Sequence, residues 1–149
     1  MNVSKNKLLS FFAIAVIAFT LHIVNASGQE PWKANQLMSP ADLNKTINNP
    51  KAPQPYIYSI GFDAIIKNSI DIGPGRDKEN LKKFKQKISK LPKDADIVVY
   101  CGCCPFGSCP NVRPVFNMLN EMGFKNHKLL NLTKNIKVDW IDKGYSLKN

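Results

Sequence analysis

At 149 residues, 44% hydrophobic and 21% charged, the chain has room for one domain and enough apolar side chains to build its core. Its formal net charge of +10 would attract nucleic acid, anionic lipid or small anions, but much of it is one lysine cluster from Lys78 to Lys93, the pattern of a solvated helix face. All four cysteines fall between Cys101 and Cys109, which excludes a disulfide scaffold, since such a scaffold scatters its cysteines to staple distant loops.

The first residues read as an export signal. Lys5 and Lys7 give a basic start, an apolar run follows from Leu8 to Leu21, and Val24-Asn25-Ala26 offers small residues where a signal peptidase cuts. The strictly apolar part, Phe11 to Phe19, is short for a spanning helix, which needs about 20 residues. The expectation is a signal over residues 1–26 and one domain over residues 27–149, periplasmic or secreted, with no stable membrane insertion once the signal is removed. Loss of Lys5 and Lys7 leaves 19 basic residues against 11 acidic ones, and an exported protein has little access to nucleic acid, so no nucleic-acid partner is expected.

Ser39-Pro40-Ala41-Asp42 predicts a helix start, with Ser39 as N-cap, Pro40 at the first helical position and Asp42 answering back. That helix carries Leu43 and Ile47 inward and stops at Asn48-Asn49-Pro50. Tyr56 to Ile60 is β-branched and aromatic and predicts a strand. Ile70 to Ile72 predicts a short extended piece before the turn Gly73-Pro74-Gly75. Leu81, Phe84, Ile88 and Leu91 recur at helical spacing with lysines on the other face, and Pro92 ends that helix. Ile97 to Tyr100 is continuously apolar, as in a strand buried on both faces. A helix from about Asn111 to Met122 turns Val115, Phe116, Leu119 and Met122 inward and stops at Gly123 in the C′ position. Leu129 to Leu132 predicts another strand, and Val138 to Lys143 a last short helix before Gly144. Strands alternating with helices at this spacing predict an α/β fold, a mainly parallel sheet covered on both faces.

Cys101 then stands at the carboxyl end of a buried strand, where open α/β sheets place their ligands. The loop runs Cys101-Gly102-Cys103-Cys104-Pro105-Phe106-Gly107-Ser108-Cys109-Pro110-Asn111-Val112-Arg113 into a helix. Free backbone N–H groups and the positive helix end favour an anion there, so a thiolate in that cradle has a lowered pKa and becomes a nucleophile. Arg113, one of two arginines in a lysine-rich chain, suggests a forked oxyanion contact.

These features together resemble a rhodanese-like domain: the strand Ile97 to Tyr100 ending in Cys101, a loop, Arg113 at a helix start, Met122-Gly123-Phe124, and Trp140 before Lys143-Gly144-Tyr145. With the Ser39 helix and the Tyr56 strand, the resemblance covers roughly residues 36–148 and is strongest over 95–148. It implies an α/β sulfurtransferase fold in which Cys101 accepts sulfane sulfur as a persulfide and passes it to a thiol or other nucleophile. Cys101 matches the family's sulfur-carrying cysteine and Arg113 the arginine that closes its active-site loop. The implied catalytic pair is Cys101 and Arg113, with Gly102, Phe106, Gly107, Ser108, Asn111 and Val112 as a substrate-binding loop. The partners would be a small anionic sulfur donor and a thiol acceptor, with no cofactor. The loop departs from the family: eleven residues separate Cys101 from Arg113 where four are usual, and Ser59-Ile60-Gly61 and Lys67-Asn68-Ser69 replace residues common in the family. These departures count against ordinary thiosulfate turnover.

The remaining thiols, Cys103, Cys104 and Cys109, read as resolving or accessory groups, with a Cys104–Cys109 disulfide one arrangement. Cys-Gly-x-Cys also resembles a thioredoxin site, but Pro105, Gly107 and Pro110 postpone the helix, so a thioredoxin fold is excluded while thiol–disulfide redox chemistry stays open. A non-catalytic module is the other alternative, with Cys101, Cys103, Cys104 and Cys109 holding Zn²⁺ or Cu(I), or with the loop docking a partner. C-x-C-C-x₄-C is not a familiar zinc spacing, and His127, the one histidine after the signal, reads as structural or exposed. Phe106 at the loop tip either plugs the site or meets a partner. Trp140 and Tyr145 read as closing the core.

Overall fold

The structure, a computed structural model, describes residues 30–149, so the export signal read at residues 1–26 lies outside the described residues. Ser39 caps the first helix, α1 (Pro40–Ile47): its hydroxyl accepts from the Asp42 N–H at 3.1 Å and donates to the Asp42 carboxylate at 2.6 Å. Asp77 caps α2 (Lys78–Ile88) by accepting from the Glu79 N–H at 2.9 Å, and Phe84 and Ile88 are its buried face. Each such side chain contributes about 1.5–3 kcal/mol on burial. The lysines of α2 are exposed, in keeping with a solvated face. Helix α3 (Val112–Glu121) buries Val112, Val115, Phe116 and Leu119 and ends before Gly123, whose φ of +75° suits a residue without a Cβ.

Five strands, β1 (Leu37–Met38), β2 (Tyr56–Ser59), β3 (Ser69–Asp71), β4 (Ile97–Tyr100) and β5 (His127–Leu130), form one parallel sheet in the order β1-β5-β4-β2-β3. The two-residue alternation of the strands divides the core. Tyr58, Ile97, Val99 and Leu129 face α2 and α3, whereas Ile57, Val98, Tyr100 and Leu130 face α1 and Trp140. The fold is therefore α/β, with a parallel sheet and helices on both faces. No helix among the described residues is long and apolar enough to cross a membrane.

Several boundaries differ from the sequence expectation; helix α2, for one, ends at Ile88, short of Leu91 and Pro92. Strand β1 went unpredicted; it exists because Leu37 and Met38 pair with Leu129 and Leu130. The last strand begins at His127 rather than Leu129, since His127 and Lys128 pair with Ile97 and Val98. The last helix is split: α4 (Ile136–Asp139), capped by Asn135, gives way at Trp140 to a 3₁₀ turn, Ile141–Lys143. Burial of Trp140 causes the break, because its fully buried indole packs under the sheet and donates from Nε1 to the Ser146 carbonyl at 3.2 Å.

Candidate active site

Because all strands run parallel, β2 and β4 end at the same edge, and Cys101 directly follows β4 there. Its neighbour is the turn after β2. A Cβ on Gly61 would stand 3.3 Å from Cys101 Sγ, a tight contact, so a glycine there eases the close approach of the two turns. Cys101 is 2% exposed. Tyr100, on the opposite face, secures the same turn. Its hydroxyl accepts from the Ile65 N–H at 2.9 Å and the Ile66 N–H at 3.2 Å, while Ser59 Oγ donates to the Asp63 carbonyl at 2.7 Å.

The cysteine loop folds back on Cys101. The sulfurs of Cys101, Cys103 and Cys109 lie within 4.8 Å of one another, and Cys104 Sγ is 3.2 Å from Cys103 Sγ. All four are free thiols, so no Cys104–Cys109 disulfide is present. Cys101 Sγ is 3.3 Å from Cys103 Sγ and accepts from Asn111 Nδ2 at 3.4 Å. The Cys109 thiol, its sulfur within 4.8 Å of Cys101 Sγ, does most to favour the Cys101 thiolate. Its effect, helped by Asn111, the Cys103 amide and the Cys103 thiol, outweighs burial and lowers the Cys101 pKa to about 5. The partners move the other way: partial burial and the neighbouring thiols of Cys104 and Cys101 push Cys103 up to about 12. Cys109 is raised as well, chiefly because its proton is shared with Cys101. The arrangement thus favours ionisation at Cys101 ahead of Cys103 and Cys109.

This changes the expected source of the charge. The sequence points to the loop amides and the helix end, with Arg113 as an oxyanion contact. The geometry assigns the charge to thiol and amide donors around the sulfur. Of the loop amides expected to take part, that of Cys103 does. Arg113 Nη2 instead donates to Glu30 Oε1 at 2.6 Å and to the Gly107 carbonyl at 2.8 Å, beneath the Trp32 ring, and 41% of its side chain is exposed. It braces the loop and makes no hydrogen bond to a thiol. Val112 and Asn111 are buried rather than lining an open substrate loop. Asn111 links Cys101 to the Arg76 N–H, which donates to Asn111 Oδ1 at 3.3 Å. Phe106 neither plugs the site nor stands free; its ring meets Trp32 edge-on at 5.8 Å, and Trp32 meets Phe116 at 5.8 Å. Ser108 is exposed and donates to the Pro105 carbonyl.

Gly102 lies close against α4: a Cβ there would come within 2.9 Å of Ile136, and the Ile136 N–H donates to the Gly102 carbonyl at 3.0 Å. Gly102 and the exposed Cys103, with Phe62, Asp63, Ile65 and Ile136, line a cavity of about 210 Å³ beside the sulfurs. His127 is not part of the site. It is buried against Phe116, its Nε2 lies 2.8 Å from Asn120 Oδ1, and burial lowers its pKa. Among the described residues, those grouped to hold a metal ion are Cys101, Cys103 and Cys109.

Gly61, Tyr100 and the positioning role of Asn111 were missed from sequence. Only a glycine at the end of a predicted strand, facing another strand's end, gave a signal for the first of them. No family model matches the sequence, and no curated protein matches it.

Proposed function

We propose that this chain is an exported, rhodanese-like sulfur carrier in which Cys101 takes up sulfane sulfur and hands it to a thiol. One observation carries the reading: the Cys101 sulfur, at the carboxyl end of β4, accepts a hydrogen bond from Asn111 Nδ2 at 3.4 Å and lies 3.3 Å from the Cys103 thiol, surroundings that favour a thiolate. In the first step the Cys101 thiolate attacks the outer sulfur of the donor. The donor's S–S bond breaks, its remaining fragment leaves with the electron pair (sulfite, from thiosulfate), and Cys101 becomes a persulfide. An acceptor thiolate then attacks the outer sulfur and restores the Cys101 thiolate.

Cys103 stands on the solvent side of Cys101, and rotation of its exposed side chain opens the way from the cavity beside Phe62 and Ile136. Because Arg113 is engaged by Glu30 and Gly107, the donor's anionic end would meet loop amides rather than the guanidinium. The reading is tested by incubating the reduced chain with thiosulfate or a polysulfide and mapping it by mass spectrometry. One added sulfur on the Cys101 peptide is expected, absent in Cys101→Ser. Sulfur transfer undiminished in that variant refutes it.

The 3.3 Å contact between Cys101 and Cys103 also favours a second reading, thiol–disulfide exchange with a partner disulfide. Incubated with oxidised glutathione instead, the chain would then lose two hydrogens across the 101–103 segment while the glutathione disulfide is reduced to two thiols.

A further inference from the structure

We propose that Cys101, Cys103 and Cys109 form a three-sulfur site for a thiophilic monovalent ion, Cu(I). The inference goes beyond sulfur transfer, because it needs only the placement of the sulfurs. Two of them are fixed: Cys101 is buried at the end of β4, and Cys109 is buried just before α3. The third, Cys103, is exposed and lines the cavity, so an ion reaches the trio from that side. A metal–sulfur bond of about 2.3 Å in a trigonal arrangement sets the sulfurs about 4 Å apart. The trio lies within 4.8 Å. The tightest pair, Cys101 and Cys103 at 3.3 Å, needs only a small outward turn of the exposed side chain.

The donor set decides the ion. It is all sulfur, with His127 held elsewhere by Asn120 and with no carboxylate among the convergent ligands, which selects against hard cations. Zn²⁺ prefers four ligands in a tetrahedron. Cys104 touches Cys103 at 3.2 Å but stands outside the mutually close trio, so the geometry suits a three-coordinate ion. On the inner side Gly61 approaches Cys101, both buried sulfurs belong to the same apolar core as Val112 and Val115, and Asn111 Nδ2 supplies a hydrogen bond to the Cys101 ligand.

The test uses the full-length, reduced chain, stripped of metal and titrated with Cu(I) without oxygen against bicinchoninate as a chromophoric competitor. One Cu(I) per chain held against the competitor is expected. Cys103→Ser, at an exposed position that does not threaten folding, should weaken retention by at least about tenfold, and Cys109→Ser similarly, while Cys104→Ser retains the ion. Failure to hold Cu(I), retention unchanged in Cys103→Ser, or equal dependence on Cys104 with preference for Zn²⁺ would each overturn the proposal. Sulfur loading of Cys101 is measured separately on the metal-free chain, so either reading can fail while the other stands.

Discussion

Asn111→Ala removes one donor from the Cys101 sulfur without touching any sulfur. Nδ2 donates to Cys101 at 3.4 Å in a buried setting, where solvent screens little of the interaction. A hydrogen bond to a charged acceptor contributes about 1.5–3 kcal/mol, and about 1.4 kcal/mol corresponds to a tenfold change in ionisation. From a starting value of about 5, loss of that bond carries the Cys101 midpoint up to about 6–7. The same variant leaves the Arg76 N–H without its acceptor, costing about 1–3 kcal/mol of stability. The assay is the alkylation rate of the Cys101 peptide across mildly acidic to neutral pH, read by mass spectrometry on metal-free protein. A midpoint that stays put, or falls, refutes the hydrogen-bond origin of the thiolate.

Three further outcomes follow from the same geometry. Arg113→Ala should leave the Cys101 midpoint nearly unmoved, since its exposed pair with Glu30 is worth about 0–1 kcal/mol and no thiol is its partner; a midpoint rising as far as in Asn111→Ala would restore the arginine to the sulfur. Because the folded Cys101 pKa lies below its unfolded value, its contribution to stability is present above the unfolded value and is lost as pH falls through about 5. Urea denaturation of wild type and Cys101→Ser should therefore converge towards that pH and diverge above it, and a constant difference would contradict the depressed pKa. Trp140→Ala, far in sequence from the cysteine loop, should cost about 3–5 kcal/mol in the same assay, and a loss below about 1 kcal/mol would mean the indole does not anchor the α1 side of the core.

What could be read from sequence was whatever local pattern encodes. The run Ile97 to Tyr100 announced a strand buried on both faces, and all four residues are buried. Ser39 and Pro40 announced a helix start, and the lysine-faced helix followed from its spacing. Strand β1 escaped because two residues carry no periodicity; its pairing with β5 spans most of the domain. The split at Trp140 escaped because a helical pattern does not reveal that one aromatic must turn inward.

The site followed the same division. Position along the chain placed Cys101 at a strand end among three other thiols. The electrostatics could not be read that way, because each decisive partner is distant or depends on how the loop folds back. Glu30 captures Arg113 from 83 residues away, and Trp32 covers the loop through Phe106. Asn111 looked like one more loop residue, yet its amide spans from Arg76 to the sulfur. A long loop hides its own contacts. The arginine is turned to Glu30 and Gly107, and the sulfur takes its partners from Cys109, Cys103 and Asn111 instead.

The most direct measurement is a count of thiolates at neutral pH, taken as the ultraviolet thiolate absorbance of the reduced, metal-free chain minus that of Cys101→Ser. A difference equivalent to one thiolate per chain is expected, vanishing as the pH is brought below about 5. No difference at neutral pH, with absorbance appearing only in the alkaline range of ordinary thiols, would contradict the ionisation of Cys101 and the sulfur chemistry built on it.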